Sequence, residues 1–116
     1  KIRDHDLVGD EPIHEGGADA GPKAHEMLCA ALASCTAITL RMYVDRKQWD
    51  VGAINVRVRL DRTVTNGIVN AAFRMSVDTG KPISDEQRAR MLLVAGKCPV
   101  HKTLQSPIAI TTEVVA

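Results

Sequence analysis

The chain has one Trp, one Tyr and one Phe in 116 residues. It offers almost no flat faces on which unpaired bases could stack, which counts against single-strand nucleic-acid binding. An excess of either charge is missing too. Fifteen Lys and Arg against 14 Asp and Glu, scattered along the chain, leave +1 and no field for nucleic acid or an anionic membrane. The first nine residues, Lys-Ile-Arg-Asp-His-Asp-Leu-Val-Gly, are polar and charged and carry no apolar export segment. Cysteine is scarce, at three. Three cysteines without an export signal read as thiols in a reducing compartment, where a disulfide is transient and chemical, so a cytoplasmic location is expected. Repeats and low-complexity segments are absent. One domain spanning residues 1–116 is expected, and its function must come from a site.

What is present is one charge-free run, Met27 to Leu40, that holds two of the three cysteines. Its Ala and Leu content favours helix, Gly21-Pro22 is a start signal, and a helix over about Lys23 to Lys47 is predicted. Small or apolar residues occupy every face of the run, so the helix should be buried on all sides. At roughly 14 such residues it is too short to span a bilayer. Weak alternation over residues 1–9 suggests an edge strand, followed by an irregular loop through Asp10-Glu11-Pro12 and Gly16-Gly17. Ile54, Val56, Val58 and Leu60 then alternate with polar residues, as do Val69, Ala71, Phe73, Met75 and Val77, and Asn66-Gly67 between the two runs is a strong hairpin signal. Ser84-Asp85-Glu86-Gln87 has capping-box spacing ahead of a second helix that Gly96 or Cys98-Pro99 ends. A helical turn over residues 99–106 and a last strand through Ile108, Ile110, Thr112 and Val114 complete the chain. The order gives an α+β fold, a mainly antiparallel sheet packed on a long central helix and a second helix. One small sheet cannot cover an all-apolar helix, so a homodimer is expected.

Cys29 and Cys35 stand six residues apart on one helix, about 9 Å, beyond the ~7 Å Cα limit for a disulfide. Cys29 therefore reads as a packing residue, and any disulfide partner of Cys35 must be Cys98. A free thiol is only a few per cent ionised at neutral pH, and mid-helix Cys35 cannot use a helix dipole. A cation must supply the shift; Arg3, Arg41, Arg57 and Arg59 are the candidates. Cys98-Pro99-Val100-His101 has the spacing of half a zinc site without a second half, and His5, His14 and His25 are isolated, so neither metal nor cofactor is expected.

The chain carries Asp10-Glu11-Pro12, Gly16-Gly17 and Gly21-Pro22, then Glu26-Met27-Leu28 and Ser34-Cys35-Thr36-Ala37-Ile38-Thr39-Leu40-Arg41, Arg46-Lys47 with Trp49, and Lys97-Cys98-Pro99-Val100-His101-Lys102-Thr103-Leu104. Together these resemble the OsmC/Ohr family of thiol-dependent hydroperoxide reductases, on its OsmC-like side. The resemblance implies an intertwined homodimer whose sheets wrap paired central helices, with active sites at the interface. It implies that Cys35 attacks the peroxide and Cys98 resolves it, the disulfide being reduced by an external thiol or dithiol. Apolar neighbours of Cys35 (Leu28, Ala31, Leu32, Ile38) point to an organic hydroperoxide. The family's activating Arg comes from an N-terminal hairpin that is short or incomplete here, leaving Arg3 as counterpart. The catalytic Glu of the Ohr branch falls at His25, while Glu26 stands nine residues before Cys35, nearly on the opposite helical face. The alternative is a non-enzymatic dimer of the same fold that binds a small apolar molecule or a protein partner.

Overall fold

The computed structural model describes residues 1–115. Along the chain run a short 3-10 turn (Ile13–Glu15), α1 (Ala24–Arg46), the strands β1 (Ile54–Thr65) and β2 (Ile68–Thr79), α2 (Asp85–Ala95) and α3 (Pro99–Gln105). The chain forms two compact units. Lys1–Ser34 and Val56–Val77 make one; Cys35–Asn55 with the chain from Asp78 onward makes the other.

In the first unit a loop is folded around one carboxylate. Asp10 accepts hydrogen bonds from the backbone N–H groups of Glu11, Ala18 and Ala20 at 2.8–3.0 Å. Those bonds, from Ala20 first, hold its pKa below the ordinary carboxylate value. The closed loop leaves no room for side chains at two glycines: a Cβ on Gly17 would strike the Glu11 carbonyl, and one on Gly21 the Val8 carbonyl. The hairpin turns at Asn66 and Gly67, which both have positive φ (53° and 76°), the backbone a two-residue turn between twisted strands demands. Ile54, Val56, Val58 and Leu60 are half-buried while Asn55, Arg57 and Arg59 face solvent. On β2 Phe73 and Met75 are half-buried; Val69 and Val77, expected beside them, are exposed.

In the second unit Leu40, Tyr43 and Val44 of α1 pack with Val51 and with Met91, Val94 and Ala95 of α2. Tyr43 meets Trp49 edge to face at 5.5 Å, and its hydroxyl accepts a hydrogen bond from Arg90 Nε, so the one buried phenol is both stacked and satisfied. α2 starts as its sequence predicts. Ser84 Oγ accepts from the Gln87 N–H at 3.1 Å and Gln87 Oε1 accepts from the Ser84 N–H at 2.9 Å, a complete capping box. Ser84→Ala is expected to destabilise the protein by about 1 kcal/mol, seen as a melting temperature lowered by several degrees. An unchanged thermal transition would show that the box does not hold the helix start.

Four expectations need correction. α1 is not buried on all sides of its own chain. Leu32, Thr36, Leu40, Tyr43 and Val44 point inward, but Leu28, Ile38 and Met42 are 43, 58 and 67% exposed. Nor is α1 too short to cross a bilayer: its 23 residues are long and apolar enough by length and composition alone, a test that the core helix of a soluble protein also passes. Residues 1–9 form no strand, only a single antiparallel bridge between Ile2 and His5. Residues 108–114 alternate but pair with nothing among the described residues, and the sheet has two strands. A strand exists only where an edge accepts its hydrogen bonds, which sequence alternation cannot provide.

Candidate active site

Cys35 and Cys98, distant in sequence, meet in the second unit. α1 places Cys35 half-buried at mid-helix; the break after α2 and Pro99 at the first position of α3 place Cys98, wholly buried, at the start of that helix. All three cysteines are reduced. The Cys35 thiol faces the Cys98 sulfur, near enough for each to shift the other's ionisation. Burial pushes the Cys35 thiol up first, and the hydrogen bond to Cys98 adds to this; the Val100 N–H and the Thr39 hydroxyl pull the other way without prevailing. For Cys98, burial is the largest single influence and also raises the pKa. The Cys35 S–H, the N–H groups of His101 and Val100 and the Thr36 hydroxyl together outweigh it, leaving Cys98 below an ordinary thiol. The two N–H groups stop short of a full cap hydrogen bond, yet they face the sulfur closely enough to favour its charge. Of the two, Cys98 is therefore the thiol that ionises first and Cys35 the one that keeps its proton longer.

Several of the other predicted residues have partners of their own. Arg41, the candidate cation of the second unit, donates from Nη1 to the Gly52 carbonyl at 2.9 Å and pairs through Nε with Asp45 at 3.2 Å. In the first unit Arg59 pairs with Asp61, Arg57 is exposed on β1, and Arg3 sits exposed in the N-terminal turn with φ 51°. Glu26 caps: its carboxylate accepts from the Lys23 N–H at 3.0 Å at the start of α1. Cys29 is half-buried and, with Glu26, Ala30, Val58 and Arg62, lines an open groove of about 580 Å³ between α1 and β1.

Sequence reasoning passed over Thr36, Thr39 and the N–H groups of Val100 and His101. Thr36 had a signal. It stands four residues from both Leu32 and Leu40, so helical spacing alone puts a hydroxyl on the buried face.

An α+β chain with two opposed thiols at a helix break is the class these features define. Residues 16–113 match the model of the OsmC-like proteins, and the chain belongs to that family. Among solved structures, an organic hydroperoxide resistance protein OsmC from Legionella pneumophila superposes with a TM-score of 0.68 at 12% identity, over 85% of this chain and 73% of that one. The OsmC-like protein of Mycoplasma pneumoniae superposes with a TM-score of 0.68 at 22% identity, over 82% and 68%. Both share the fold. No curated protein matches the sequence.

Proposed function

We propose that this chain is a cytoplasmic thiol peroxidase that reduces organic hydroperoxides through Cys35 and Cys98 as a homodimer. The observation that carries the reading is the contact between the two thiols, one reachable and one not. Cys35 is half-buried and Cys98 is 0% exposed, so a hydroperoxide meets the Cys35 sulfur. As the Cys35 sulfur attacks the O–O bond, an S–O bond forms, the O–O bond breaks and the Cys35 proton goes to the departing alkoxide; an alcohol leaves and Cys35 becomes a sulfenic acid. Cys98 then displaces hydroxide from the Cys35 sulfur, and the disulfide is reduced by an external thiol or dithiol. One hydroperoxide and two thiols give one alcohol, one water and one disulfide. The Legionella relative is named for organic hydroperoxide resistance, which supports this substrate class.

Helix geometry supports the dimer. Leu28, Ala31, Cys35, Ile38 and Met42 recur at alternating spacings of three and four, the pattern of a helix-to-helix seam, and Leu28, Ile38 and Met42 lie open to solvent in the single chain. A second copy laid along this seam covers the apolar stripe and brings another chain's residues to Cys35, where a cation could lower the raised thiol. A binding protein without chemistry is the second reading. The raised Cys35 thiol and the groove of about 580 Å³ favour it.

Mass spectrometry after one equivalent of an organic hydroperoxide separates the two. An intramolecular Cys35–Cys98 disulfide supports the peroxidase; cysteines left reduced support the binding protein. Cys29, which lines the groove and is unnecessary to this chemistry, gives an independent check: Cys29→Ser is expected to keep turnover within a few-fold. Loss of all turnover in a folded Cys29→Ser protein would reassign the cysteine roles.

A further inference from the structure

Thr36 is 0% exposed, and its hydroxyl has no hydrogen-bond partner of regular geometry among the described residues. Threonine inside a helix ordinarily returns its hydroxyl to the carbonyl four residues back, here that of Leu32. Thr36 does not, and a buried hydroxyl left unpaired is rare, because water is no longer there to satisfy it. The hydroxyl lies instead beside the Cys98 sulfur, a weak acceptor as a thiol and a strong one as a thiolate. Two elements supply what faces that sulfur: from α1 the Cys35 thiol and the Thr36 hydroxyl, from α3 the N–H groups of Val100 and His101. Cys35 is the titratable side chain among these groups, and His101 contributes through its backbone. Every donor is neutral.

We infer that Thr36 is a positioning residue whose buried hydroxyl is reserved for the Cys98 thiolate, holding that sulfur charged and aimed while it condenses with oxidised Cys35. The inference rests on the two-cysteine reading above. In the step concerned, Cys98 first gives up its proton. Its sulfur lone pair then forms the S–S bond as the S–O bond of the Cys35 sulfenic acid breaks, and the departing hydroxide takes the proton to become water. No other oxidant enters. Of the donors named, Thr36 is the one side-chain hydroxyl and the one that substitution can remove without disturbing the backbone or the reacting thiols.

The test is an NMR titration of the Cys98 Cβ chemical shift in reduced wild type, Thr36→Val, Thr36→Ala and Thr36→Ser. Removing one hydrogen bond to a charged sulfur is expected to raise the Cys98 midpoint by about one unit in Thr36→Val and Thr36→Ala, about tenfold less thiolate at a given pH. Thr36→Ser should restore it. After one equivalent of hydroperoxide, the Cys35 sulfenic acid should stay open to dimedone roughly three- to tenfold longer in Thr36→Val, less than the thiolate loss alone because a more basic thiolate is the better nucleophile. A Cys98 midpoint that moves in neither Thr36→Val nor Thr36→Ala, or that Thr36→Ser fails to restore, would overturn the inference. If wild type consumes no hydroperoxide the two-cysteine reading falls, and the titration of the reduced protein still decides the role of Thr36.

Discussion

Cys35→Ser is expected to consume no hydroperoxide at all, whereas Cys98→Ser should consume one equivalent without turning over, and more only through over-oxidation of Cys35. The two thiols differ in access: a peroxide can meet half-buried Cys35 and cannot meet Cys98. With Cys98→Ser, Cys35 oxidises to a sulfenic acid with no second thiol to condense with, so dimedone should label it and excess peroxide should carry it to sulfinic acid. Burial raises the Cys35 thiol, and its attack should therefore speed up as pH rises toward that pKa. Dimedone on Cys98 in the Cys35→Ser protein would reverse the assignment.

Ile38→Lys should convert a dimer to a folded, inactive monomer. Ile38 is 58% exposed in the single chain, so the substitution disturbs little of the protomer's own core, and an ammonium there remains in water. Along a paired seam the same charge would be enclosed without a partner, a cost of several kcal/mol and at least a hundredfold in dissociation constant. Asn55→Lys, on the solvent side of β1, is the control and should leave assembly unchanged. Sedimentation at micromolar concentration reads the result. A wild-type chain that sediments as a stable folded monomer would remove the dimer, and with it the reason for the exposed stripe on α1.

The elements the sequence made legible are those whose signals are local. Ser84 and Gln87 cap each other three residues apart, and Asn66-Gly67 turns the chain within two residues, so neither depends on distant parts of the fold. α1 was legible for the same reason, but which of its faces is covered was not, because composition records that Ile38 is apolar and not what lies against it. Residues 1–9 and 108–114 failed as strands since a strand is a property of two segments. At the site, the helix-length argument separated Cys29 from Cys35 and left Cys98 as the remaining partner, and the fold sets Cys98 near enough to Cys35 for each thiol to affect the other's ionisation. The shift of charge toward Cys98 was not legible. It arises from the Cys35 S–H, the N–H groups at the start of α3 and Thr36; helical spacing marks Thr36 as buried, but only folding brings these donors to one sulfur.

The complete burial of Cys98 also sets how a Cys35–Cys98 disulfide would be reopened. An incoming thiolate can reach only one of the two sulfurs, that of Cys35, so the mixed disulfide with the reductant must form there and Cys98 must depart. Exchange is fastest when the departing sulfur is the more acidic one, and the donors around Cys98 make it so. On the two-cysteine reading, the same enclosure that keeps peroxide from Cys98 would make it the leaving group, and the reductant's thiol would need to reach only the Cys35 sulfur.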